Sequence, residues 1–194
     1  MSRPRDAQRS AVYDAEQMVR IMFDRAEERD NRVVTVLGSQ ITLPIERKFA
    51  SLKSVQTYVD AVLALDWIAT TWPDAGRTVT VRARSGSGAA HYERDAATIA
   101  VPLHQGNRAW ALRELVVLHE LAHHFGDEDE QQHGGEFVDR YITLVGDIVG
   151  SEAGFVLRAM MAESGVRVGC LGRRASRETR CIMGETAHTT RRRT

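Results

Sequence analysis

The 194-residue sequence contains only two cysteines, Cys170 and Cys181. A disulfide-rich secreted scaffold is therefore excluded, and so is a four-cysteine zinc knot. Lysine is almost missing: of 26 basic residues only Lys48 and Lys53 are lysine, a bias without mechanistic content. No apolar run approaches the ~20 residues that a membrane-spanning helix needs. The opening stretch Met1-Ser2-Arg3-Pro4-Arg5-Asp6 lacks the apolar core of a signal peptide. These absences point to a cytoplasmic protein without a membrane partner. Charge of one sign is not in excess either, with 26 basic against 26 acidic side chains, which excludes a uniformly basic nucleic-acid binder. What is present is ordinary: 43% hydrophobic and 27% charged residues, enough for one core. The length fits one domain, or one domain with a tail.

The pattern of apolar residues predicts an α+β chain. Val12, Val19, Met22, Phe23 and Ala26 recur at helical steps over residues 7–29. Residues 32–37 and 41–44 read as short strands joined by a turn at Gly38-Ser39-Gln40. Ser51 is placed to cap a helix that runs to about Thr71. Strands are expected at 78–83, 89–92 and 97–101. Asn107 is a good N-cap for a third helix reaching Phe125, and further helices are expected at 135–149 and from Ser151 to about Ser164. Helices on a small, mainly antiparallel sheet are the expected architecture. The domain is expected to span 1–166, with 167–194 as a flexible, Arg-rich tail.

One segment carries chemistry. His119-Glu120-Leu121-Ala122-His123 matches the H-E-x-x-H pattern. Residues four apart lie on one helix face, about one turn apart, so two imidazoles can reach the same ion. Glu120 sits one step around the helix, beside the ion rather than on it, where it can take a proton from a water the metal activates. Leu112 and Val116 share the face of His119 and His123, so that face is expected to point inward. Zinc suits imidazole ligands with a fourth position left open.

Such a site needs a third protein ligand. His133, in His133-Gly134-Gly135-Glu136-Phe137, is favoured, because the intervening loop can reverse the chain and the glycines permit close approach. Asp129, Glu136 and Glu152 are the alternatives. Asp129 completes H-E-x-x-H-x-x-G-x-x-D, but lies in an acidic run that reads as a solvated loop. His124 points about 100° away from His123 and reads as a surface histidine or an outer neighbour of the site. His91 and Tyr92 read as an ordinary strand pair, with a place in a substrate cleft as the alternative. Tyr141 reads as core. His104 and His188 have no partner pattern. Residues 85–88 form a loop without the lysine of a phosphate cradle.

The stretch 115–145 resembles the zincin metallopeptidases, and its His133-Gly134-x-x-Phe137 element is similar to SprT-like domains. The wider chain resembles an uncharacterised actinobacterial metallohydrolase family. That resemblance runs through Leu43-Pro44-Ile45-Glu46-Arg47-Lys48-Phe49-Ala50-Ser51 to Glu163-Ser164-Gly165. It implies a zincin-like fold with the motif on a central helix, zinc held by His119, His123 and His133, and Glu120 as general base. The implied activity is hydrolysis of a peptide or protein substrate. SprT-like enzymes often carry a cysteine ribbon, which two cysteines cannot build, so a DNA-associated SprT-like protease is an alternative that depends on the basic stretch instead.

The zero net charge hides an asymmetry. Residues 167–194 hold eight Arg and two Glu, a net +6, which leaves −6 for the rest. A solvated terminus is the plainer reading of that stretch, and nucleic-acid binding the sharper one. The site itself admits a second class of function, a zinc-binding regulatory or interaction domain without turnover, whose metal would be closed by a fourth side chain. The sequence does not give the oligomeric state.

Overall fold

Helix α1 (Arg9–Glu28) buries Val12, Val19, Phe23 and Ala26 of the expected stripe, together with Ala15 and one acid, Glu16, while Met22 is only partly buried. The computed structural model that places it describes residues 6–85, 88–103 and 111–169. Strands β1 (Val33–Val36) and β2 (Ser39–Thr42) pair as an antiparallel hairpin. Their turn is Leu37-Gly38 rather than 38–40, with φ of 49° and 79°. Two positive φ values match the twist of the flanking strands, and glycine takes the second at no steric cost.

Ser51 caps α2 (Leu52–Leu63) in a reciprocal box with Ser54. The helix does not run on to Thr71. Leu65 is extended, and α3 (Asp66–Thr71) begins afresh. The redirected chain buries Ile68 and Trp72, and Trp72 stacks on Phe125 at 4.9 Å.

Strands β3 (Thr80–Arg84), β4 (His91–Glu93) and β5 (Thr98–Pro102) form a sheet in the order β3-β5-β4. It is mixed: β4 pairs antiparallel with β5, but β3 runs parallel to it. The short turn at 93–97 folds β4 to one side of β5 and leaves the other side for β3. Central β5 is buried along its length. Among the described residues β4 is an outer strand, and it packs against the motif helix.

That helix, α4 (Glu114–His124), is covered on almost every side. Helix α5 (Gly135–Ile148) packs on it, α6 (Ser151–Glu163) packs on α5, and α1 packs on α6. Asn107, the expected cap of α4, lies outside the described residues, and the regular helix begins at Glu114. The buried start of a helix leaves orphan N–H groups that need acceptors. Segment 46–49 supplies them. Glu46 accepts from the Leu115 N–H at 3.2 Å and from the Arg113 guanidinium, while Arg47 O accepts from the Glu114 N–H at 2.9 Å. Buried Glu114 in turn accepts from the Arg47 N–H at 3.0 Å. No helix among the described residues is long and apolar enough to cross a membrane.

The chain does not leave the body at residue 166. Val168 packs on the core, and the Gly169 N–H donates to Gly135 O at 2.9 Å. The remainder of the Arg-rich stretch, from residue 170, lies outside the described residues, as do His104 and His188.

Glu46→Ala removes a helix-capping acceptor and leaves the Arg113 guanidinium, 3% exposed, short of its main partner. A loss of about 3–5 kcal/mol is expected from denaturant unfolding. Lys48→Ala, in a more exposed cluster with Asp24 and Glu27, should leave the midpoint nearly unchanged.

Candidate metal centre

Helix α4 turns His119 and His123 towards the loop that precedes α5. There the Nε2 atom of His119 lies 3.2 Å from that of His123 and 3.4 Å from that of His133. Each of the three histidines offers a ligand atom, and all three atoms lie within 4.8 Å of one another. Asp129, Glu136 and Glu152 are exposed and stand outside this group. The structure thus brings together His119, His123 and His133 and leaves the carboxylate alternatives apart.

Two carboxylates behind the ring set the tautomers. His119 Nδ1 bonds to Glu16, and His133 Nδ1 lies 2.6 Å from Asp6 Oδ2. A carboxylate accepts, so Nδ1 carries the proton and Nε2 presents its lone pair. Facing lone pairs at such distances repel, and one proton can bridge only one pair. A single cation satisfies all three. Nitrogens about 2.05 Å from a tetrahedral ion stand about 3.3 Å apart, close to the His119–His123 and His119–His133 separations. The rings are held by stacking: Phe137 on His123 at 4.3 Å, and Tyr13 on His119 at 5.6 Å. Tyr141 has the core place expected, and its hydroxyl donates to Leu115 O at 3.2 Å.

The local electrostatics follow from burial. Burial and the neighbouring His119 and His133 hold His123 well below its ordinary pKa. Burial and His119 likewise lower His133, against the pull of Asp6. Burial opposes charge on His119, but Glu16 outweighs it and raises its pKa. Glu16 is lowered in return, because His119 and Arg20 overcome its own burial. Burial pushes the Glu120 carboxyl up to about 7; Glu16 adds to the rise, while His119 and the Tyr92 backbone N–H oppose it.

Two of the three histidines, His123 and His133, line a cleft of about 810 Å³, while His119 lines a smaller recess behind Glu120. Tyr13 and Glu120 also line the cleft, as do His91 and Tyr92 of β4. The strand pair expected at 91–92 is therefore part of the cleft. The smaller recess, of about 230 Å³, lies beside Glu120, against Ala89, Ala90 and Val116. His124 is not at the surface. It is 1% exposed, and its Nδ1 bonds to the Tyr92 hydroxyl at 2.7 Å. A helix without a solvent face turns a residue 100° from the site into β4, not into water.

Four contributors escape the sequence pattern. Glu16 had one signal, an acid on the stripe between Val12 and Val19. Asp6 had none. Tyr13, its hydroxyl pushed up to about 12 by burial and by Glu120 and Glu16, looked like an ordinary helix residue. Arg94, between the two expected strands, donates to His123 O at 2.7 Å and Gly126 O at 2.6 Å, closing the carbonyl end of α4.

Compared with family models, curated proteins and solved structures, the chain finds no match in any of the three.

Zinc titration against a chromophoric chelator should give one tight equivalent in the full chain. Glu16→Ala should weaken it ~10–100-fold, as loss of an orienting carboxylate does elsewhere, and His133→Ala by more. Asp129→Ala should bind as tightly as the parent; weakening there would reassign the third ligand.

Proposed function

We propose that this chain is a zinc-dependent hydrolase, specifically a metallopeptidase with a zincin-like arrangement. The reading is carried by three imidazoles whose ring nitrogens converge beside a cleft, next to the buried carboxyl group of Glu120. His119, His123 and His133 would hold the ion; all-imidazole donors at this spacing favour zinc over magnesium or calcium. When bound, zinc supplies Lewis acidity, polarising a carbonyl and making a water acidic enough to attack near neutral pH.

The other steps belong to the protein. The Glu120 carboxylate accepts the proton of the attacking water and returns it to the leaving amine nitrogen. Its burial favours the protonated form midway through, which suits a group that must both take and give. Tyr13 lines the same cleft, and burial with the nearby Glu120 and Glu16 keeps its phenolic proton in place. An extended peptide fits the outer strand β4, with a side chain directed into the recess beside Glu120. A zinc domain without turnover would close its site with a fourth side chain, and among the described residues none joins the group. The peptidase reading is therefore preferred.

The test uses fluorescein-labelled casein. The zinc-loaded chain should release label, and Glu120→Gln should keep one equivalent of zinc while losing ~10²–10⁴-fold in rate. Undiminished cleavage by Glu120→Gln would remove it from the role of base. Zinc binding without cleavage by the parent would favour the regulatory domain.

A further inference from the structure

His119 and His123 ride on a rigid, buried helix. His133 does not; it sits at the end of the loop between α4 and α5, and its position depends on contacts from elsewhere in the chain. Two stretches meet behind it. From the N-terminal side, Asp6 holds the His133 ring at Nδ1. The Gln8 side chain donates to His133 O at 3.0 Å and to Arg167 O at 3.3 Å, and accepts from the Arg167 N–H at 2.7 Å. From the C-terminal side, the Gly169 N–H donates to Gly135 O at 2.9 Å, two residues past the ligand.

The two glycines let these backbones touch. A Cβ on Gly169 would lie 2.7 Å from Gly135 C, and one on Gly135 would lie 2.8 Å from Gly169 N. Both neighbours are main chain, so neither can move aside cheaply. Gln8 is only 8% exposed and spends its amide on both partners at once. The contacts span 125 and 159 residues of sequence, so they are not a local property of the loop.

We propose that residues 6–8 and 167–169 form a clasp that positions His133, coupling metal binding to the docking of the C-terminal segment. The proposal rests on the metal-site reading above and adds a mode of regulation to it. Linkage is reciprocal: if docking of 167–169 tightens zinc binding, zinc must hold 167–169 in place by the same factor. Anything that draws this segment off the body loosens the third ligand, although no residue of the segment touches the ion. Gln8 and Gly169 are thus positioning residues. The start of the stretch that composition marks as a tail belongs to the metal centre.

Two measurements on the full chain test this. First, zinc affinity by chelator competition: Gln8→Leu and Gly169→Ala should each weaken binding ~10-fold or more, in the range of other outer-sphere losses. Gly76→Ala, whose Cβ meets open space, should bind like the parent. Second, hydrogen exchange of the unmutated chain, which does not depend on a variant folding: zinc should slow exchange at the Arg167 and Gly169 amides. Parent-like affinity in both folded variants, or exchange at 167–169 indifferent to zinc, overturns the clasp while leaving the metal site standing. No zinc binding by the parent chain overturns the metal reading and the clasp with it.

Discussion

Three imidazole nitrogens facing one another is an unfavourable arrangement unless something positive lies between them. The rest of the site is organised to impose it. Glu16 and Asp6 hold the Nδ1 protons of His119 and His133 and so force both lone pairs inward. Tyr13 and Phe137 hold the ring planes by stacking. A hydrophobic core alone would select against this cluster, because buried polar groups without partners cost several kcal/mol. The arrangement makes physical sense as a receptor for a cation.

The cluster in turn depends on a helix that is buried at both ends as well as along its length. Buried helix ends carry unsatisfied amides and carbonyls, and charged side chains from distant parts of the chain answer them. Glu46 receives the amide end, and Arg94 receives the carbonyl end beside His123. Both also complement the helix dipole, an anion at the start and a cation at the finish. The site is therefore built from α1, segment 46–49, the β4–β5 turn and the loop ahead of α5, assembled around one helix.

How much of this could be read from the residues varies with the physics involved. The helical stripes and the H-E-x-x-H spacing are local periodicities, and they were legible. So was His133, from loop length and its glycines. Glu16 could have been noticed as an acid on an apolar stripe. Asp6, Gln8 and Arg94 act across distances that no local pattern encodes. Of the two places expected for His124, the surface one fails, because a helix covered on almost every side turns it onto Tyr92. The break at Leu65 and the parallel pairing of β3 with β5 reflect how the chain packs, which outweighs propensity in short elements. The charge asymmetry marked a boundary near residue 166, but composition does not register that Gly169 touches Gly135 main chain to main chain.

The central claim is that three histidines bind one metal ion with a coordination position left for substrate or water. X-ray absorption on the full chain loaded with one equivalent of zinc tests it most directly. The account predicts nitrogen or oxygen neighbours only, at about 2.0–2.1 Å, with the multiple scattering of three imidazoles and one further light atom. A sulfur neighbour, or scattering from fewer than three imidazoles, would contradict it.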